Sequence, residues 1–151
     1  LVEVDKDHLA DLPDITEILA ARPVRFIVQG DGGRLPATIA TPLSVVLTEL
    51  LQNAVDHGFP EGSDGGTVVV ELGGDDDEIE IKVINDGRGL DPAFDLNGAT
   101  GLGLSIVRTL VTTELNGSIS IRAGSPEDFI AVGIEGHRRG DGTVVDLRLP
   151  R

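Results

Sequence analysis

Apolar residues recur along this chain with two different periods, and the changes between them mark its elements. Leu43, Val46, Leu47, Leu50, Leu51 and Ala54 fall at i, i+3, i+4, i+7, i+8 and i+11, the stripe of a core-facing helix. Thr41 stands where an N-cap belongs and Pro42 where a missing N–H costs nothing, so the pattern predicts a helix over residues 41–59. Leu104, Val107, Val111 and Leu115 predict a second long helix, closed by a left-handed cap at Asn116-Gly117. Alternation at Ile79, Ile81 and Val83 predicts a strand over residues 79–84, paired antiparallel with residues 67–72 across Gly73-Gly74-Asp75-Asp76-Asp77. The three consecutive acids lack calcium-loop spacing and read as a solvated hairpin tip. Residues 24–29 predict a first strand, followed by a turn at Asp31-Gly32-Gly33, and residues 118–122 and 144–149 predict the last two. Between those two, residues 123–142 read as a long irregular insertion. Its Asp128-Phe129-Ile130 patch and its Arg138 and Arg139 are the groups there that could meet a partner. Residues 4–21 read as a short acidic helix or linker, broken by Pro13 and ended before Pro23. Strands of mixed order with helices on one face make a two-layer α/β sandwich.

The polar side of the first helix carries chemistry. Glu49 and Asn53 are four residues apart and so neighbours on one ridge, with Asp56 and His57 a turn further on. The strand over 79–84 runs into Asn85-Asp86-Gly87-Arg88-Gly89, where glycines let backbone approach a flat ligand. A third signal, Thr100-Gly101-Leu102-Gly103-Leu104, puts glycines just ahead of the second helix, whose free N–H groups attract phosphate oxygens. Neither the P-loop pattern nor the dinucleotide GxGxxG pattern occurs here.

These three segments, in this order, resemble the N box, the DxGxG box and the glycine-rich GLGL box of the ATP-binding domain of sensor histidine kinases. That domain belongs to the superfamily shared with gyrase, Hsp90, MutL and the anti-sigma-factor serine kinases. The resemblance spans about residues 24–149. It is most similar to the bacterial cytosolic subfamily with the second type of dimerisation domain, and within it to actinobacterial sensors paired with an RNA-binding antiterminator regulator. The resemblance implies the Bergerat, or GHKL, ATP-binding fold, with ATP and Mg²⁺ as cofactors. It implies Asn53 as the metal ligand and Glu49 as the catalytic carboxylate near the γ-phosphate. Asn85, Asp86, Gly87 and Gly89 would form the adenine pocket, His57 and Thr100, Gly101, Leu102, Gly103 and Leu104 would meet the phosphates, and residues 91–98 would be a short ATP lid. Two positions depart from the family pattern: Asn85 stands where the adenine-binding Asp is usual, with the acid one residue later at Asp86, and Asp56 stands where many relatives carry a Lys. Both departures point to weaker nucleotide binding.

Composition narrows the function classes. Twenty-six acids against twelve Lys plus Arg give a net charge of −14, the wrong sign for a nucleic-acid surface. Without cysteine there is no disulfide or thiolate metal site. No apolar run reaches the roughly 20 residues of a membrane span, and a cytoplasmic location is the expectation. The chain has no methionine and is expected to be part of something longer, with residues 1–22 as a linker from an upstream dimerisation domain and 23–151 as the ATP-binding domain. His8, His57 and His137 do not stand in the setting of a phosphoacceptor. The resemblance therefore implies transfer of the ATP γ-phosphate to a histidine on that dimerisation domain, and relay to a response regulator. Two alternatives stay open on sequence: a serine kinase acting on an anti-sigma antagonist, and a nucleotide-binding or docking module without turnover.

Overall fold

The computed structural model describes residues 2–3, 24–59, 66–87, 104–133 and 142–150. In chain order the elements are β1 (Val2–Glu3), β2 (Val24–Gly30), β3 (Arg34–Leu35), α1 (Ala37–Gly58), β4 (Gly66–Gly74) and β5 (Glu78–Asn85). Then come α2 (Leu104–Thr109), extended by one π-helical turn over Leu110–Glu114, β6 (Ser118–Ala123), α3 (Pro126–Ala131) and β7 (Thr143–Pro150). The sheet order is β2-β4-β5-β7-β6; β2 and β4 are parallel and every other pair is antiparallel. A small separate ribbon joins β1 to β3.

Alternation decides which face each strand residue serves. Val68, Val70 and Leu72 of β4, Ile79, Ile81 and Val83 of β5, and Val145, Leu147 and Leu149 of β7 all point into one core with the apolar stripe of α1 and with Leu104, Val107, Val111 and Leu115. Each Leu or Ile removed fully from water there contributes about 1.5–3 kcal/mol before entropy is charged against it. The helical layer on this face is the two-layer sandwich expected from sequence. The predicted hairpin forms as well. Asp75 Oδ1 accepts the N–H groups of Asp77 and Glu78 at 2.9 Å each, so the first of the three acids builds the turn. Asn116 adopts the left-handed conformation predicted for it (φ 52°), and Gly117 N–H closes the helix end on Val111 O at 2.8 Å.

The structure differs from the sequence expectation in three places. Helix α1 begins at Ala37, one turn before Thr41, so Thr41 is not its cap and Pro42 lies inside it. Pro36 O accepts the N–H of Ile39 and of Ala40 at 2.9 Å, and Ile39 and Ala40 pack on the core, which outweighs the one helical bond that Pro42 cannot donate. The short strands β1 and β3 were not expected; two residues each are too few for any period to show. The third difference matters most. Residues 123–142 are not wholly irregular: they contain α3, and Phe129 is not a docking patch but a core residue, 1% exposed. With Val132 it covers Val69, Ile84 and Val144 on the sheet face opposite α1. Residues 4–21 lie outside the described residues, as do Arg138 and Arg139.

Polar contacts hold α3 in place. Ser125 and Asp128 form a capping box, and Arg122 Nη1 and Nη2 donate in parallel to the two carboxylate oxygens of Asp128 at 2.7 and 2.6 Å. At its other end Gln29 Nε2 of β2 donates to Val132 O at 2.8 Å. The Arg122 guanidinium, first, and the Ser125 hydroxyl and N–H hold the Asp128 carboxyl well below the usual carboxylate range. Arg122 is half exposed, which weakens the pair through solvent screening. Because Asp128 titrates lower in the folded chain than in the unfolded one, its stabilisation is complete at neutral pH. It fades as pH falls below the unfolded value of about 4. Asp128→Asn should therefore lower the thermal midpoint by a few degrees at pH 7. The gap between variant and parent should narrow in melts run at progressively lower pH; a gap that is constant down to acid pH would exclude this electrostatic account.

Candidate functional site

Helix α1 carries Glu49 and Asn53 on one ridge, both half buried, while Asp56 and His57 on its last turn are exposed. The placement of Glu49 and Asn53 follows from the stripe beside them: with Val46, Leu50 and Ala54 buried, residues 49 and 53 fall on the flank of the core rather than on its far side. Asn53 Nδ2 is buried and has no hydrogen-bond partner among the described residues. An unpaired buried amide costs about 1–3 kcal/mol, which makes Asn53 a candidate for contact with a bound ligand.

The end of β5 lies under the end of α1. Asn85 shares the parity of Ile81 and Val83 and faces the helical layer, 4% exposed. Its Oδ1 accepts the Gly87 N–H at 3.1 Å, an Asx turn that bends the chain out of the strand. The last turn of α1 presses on this turn: a β-carbon added to Gly58 would stand 2.9 Å from Asn85 Oδ1 and 3.1 Å from its Cγ. Gly87 in turn lies against the backbone of Gly58 and 2.7 Å from the Phe59 ring, measured from the β-carbon it lacks. Only residues without side chains let the two elements meet this closely.

Asp86 has a different job. Its Oδ1, beside Gly66 and the Phe59 ring, accepts the Thr67 N–H at 2.7 Å, while its own N–H donates to Thr67 O at 3.2 Å. The acid that sequence left as a rival to Asn85 is thus committed to tying β5 to β4. Of the glycine-rich box, Leu104 opens α2 with its side chain in the same core cluster as Leu50, Leu51 and Ala54, which brings the start of α2 beside α1. Gly89, Thr100, Gly101, Leu102 and Gly103 lie outside the described residues, as do residues 91–98. The end of α1 at Gly58 and Phe59 thus meets Asn85 and Gly87 at one corner of the helical layer, Leu104 packs in the same core, Glu49 and Asn53 stand on the ridge of α1, and His57 is exposed. Gly58 and Phe59, which no sequence motif singled out, close that corner. A glycine in the last buried turn of an otherwise well-formed helix was the available signal.

Residues 38–151 match the family described as histidine kinase-, DNA gyrase B-, and HSP90-like ATPase. The chain belongs to this family. Among curated relatives it is 37% identical to the sensor histidine kinase PdtaS of Mycolicibacterium smegmatis over 144 residues, 91% of this chain and 29% of that protein. It is 38% identical to the PdtaS of Mycobacterium tuberculosis over 123 residues, 80% of this chain and 25% of the relative. The chain thus spans less than a third of the length of these relatives. Among solved structures, the histidine kinase domain of a blue-light-activated histidine kinase from Erythrobacter litoralis superposes with a TM-score of 0.69 at 25% identity, covering 89% of this chain and 56% of the other. The mycobacterial sensor histidine kinase MprB shares the fold with a TM-score of 0.66 at 21% identity, covering 99% and 96%. Membership in this ATPase family implies ATP binding and fits a site made of amides and close-packed glycines. Among the described residues no helix is long and apolar enough to cross a membrane.

The orphaned amide makes a test that needs no ligand. Asn53→Leu removes a buried unsatisfied donor and adds apolar surface beside Leu50 and Ala54, so the unfolding free energy from urea titration should hold or rise, by up to about 1–3 kcal/mol. A drop of more than about 1 kcal/mol would mean that the fold itself depends on the Asn53 amide.

Proposed function

We propose that the chain is the ATP-binding catalytic domain of a sensor histidine kinase, passing the ATP γ-phosphate to a histidine on a dimerisation and phosphotransfer domain of the same kinase. Relay to a response regulator and a cytoplasmic setting complete the proposal. The observation that carries it is the buried, unpartnered Asn53 amide beside Glu49, set on the ridge of α1 that ends against the Asn85–Gly87 turn. The sensor-kinase names of the curated relatives support the kinase reading over a serine kinase or an inert module.

Phosphoryl transfer needs positioned phosphates, spread charge and an aligned acceptor more than it needs covalent help from the protein. In this proposal the Asn53 carboxamide serves twice: its Oδ1 is a hard ligand suited to Mg²⁺, and its Nδ2 is a donor for a phosphate oxygen. Mg²⁺ when bound supplies charge neutralisation between the phosphates. Glu49, one turn earlier, lies where a carboxylate can accept the proton of the incoming imidazole as the phosphorus–nitrogen bond forms and ADP leaves. Gly87 and Asn85 form the floor for the base, with Gly89 beyond them. Residues 100–104 would offer backbone N–H groups to the phosphates, with Leu104 anchoring them to the core and His57 at the rim. The net charge of −14 repels a nucleotide at long range, so these local donors and the metal have to overcome that background.

Calorimetric titration with a nonhydrolysable ATP analogue should show binding that requires Mg²⁺ and is lost in Asn53→Ala. Asn85→Asp and Asp56→Lys, which restore the family's usual residues, should each tighten it by about three- to tenfold. Equal binding with and without the metal would remove Asn53 from the metal-ligand role. Incubated alone with ATP, the chain should acquire no phosphohistidine, and label should appear only when the dimerisation helices are added.

A further inference from the structure

The described residues between β6 and β7, 124–133 and 142, are tied down at several points, and their contacts lead to the Asn85–Gly87 turn. Phe129 and Val132 of the α3 segment pack on Ile84, the residue just before Asn85, from the sheet face opposite α1. Gly142, at the far end of the insertion, donates its N–H to Gly87 O at 3.1 Å and accepts the Gly124 N–H at the same distance. Thr143, next in the chain, pairs with Asn85 across β7 and β5. Gly142 holds φ +70°, and a β-carbon there would collide with Asn85 O and reach 2.5 Å from Phe129 Cζ. No side chain other than hydrogen fits between Phe129 and the Asn85 backbone. The segment is in turn fixed at three points: the Arg122–Asp128 pair, the Ser125 capping box and the Gln29–Val132 bond.

We infer that Phe129 and Gly142 are positioning residues for the nucleobase: they buttress the Asn85–Gly87 turn from behind, while Gly58 presses on it from the front. The inference rests on the reading of that turn as the base site. Gly87 lies beyond the end of the β5 ladder; its N–H is spent on Asn85 Oδ1 within the turn, and its carbonyl accepts the Gly142 N–H. A wall held from one side only would move with α1. Held from both sides, it presents the Asn85 amide at a fixed depth, and displacement of about an ångström at such a wall is enough to lose a large factor in recognition. Phe129 does not touch the nucleotide in this scheme and acts through Ile84, Gly142 and Asn85.

The test is base discrimination, which a purely structural plug would leave alone. Affinities for nonhydrolysable ATP and GTP analogues are measured by calorimetry, well below the melting temperature, for the parent chain, Phe129→Leu and Gly142→Ala. Ile119→Ala, a partly buried β6 residue on the opposite sheet face, serves as a destabilised control. The parent should favour ATP, and the ATP:GTP affinity ratio should fall about tenfold in both variants while the control keeps it. Should one variant fail to fold, the other decides. An unchanged ratio in Phe129→Leu despite a lowered melting point overturns the inference, as does a parent that binds both analogues equally. A parent that binds neither analogue would instead overturn the proposed function itself, which keeps the two failures apart.

Discussion

The described site depends on one close contact, between the last turn of α1 and the turn that ends β5. Gly58 and Gly87 meet there with no β-carbon on either side, and the Asn85 carboxamide fills what space is left. Because α1 is rigid, that contact fixes where Glu49 and Asn53 stand above the sheet. Because Leu104 packs on the same helix, it also fixes where α2 begins. A methyl group at residue 58 would not merely fill a gap. It would lift one end of a helix of about six turns and tilt every polar group on its ridge.

The corner so formed is electrically unusual for a chain this acidic. Two of its side chains, Asn53 and Asn85, are neutral amides, and the buried acid next in the chain, Asp86, has its Oδ1 on the Thr67 N–H. The unpaired Asn53 Nδ2 shows the cost of that arrangement to the isolated fold.

Much of this was legible in the sequence, for reasons that differ by element. The stripe of α1 and the alternation of β5 were readable because each repeats one period many times over a buried face, and Asn116 was readable because few residues other than Gly and Asn tolerate its φ. The start of α1 was not, because a local rule about Pro42 was overridden by packing of Ile39 and Ala40, which no local rule contains. Nor was α3. At six residues it is too short to show a period, and its Phe129 reads equally well as an exposed patch until the second sheet face is seen to need a cover. The candidate site residues were named from their order along the chain. That Asp86 is held by Thr67 while Asn85 closes on Gly87 came only from the hydrogen bonds.

The pairing of β2 carries a consequence for how the domain comes apart. It is an edge strand whose one neighbour in the sheet, β4, runs parallel to it, so the chain must travel the whole of α1 before the pair can close. The β4–β5 hairpin closes locally, whereas β2, β7 and β6 join it across long intervals, which puts most of the ordering entropy ahead of the contacts that repay it. Such a sheet folds slowly and opens cooperatively. β2 cannot be ordered before α1 has carried the chain round to β4, which makes it the strand most dependent on the rest of the fold.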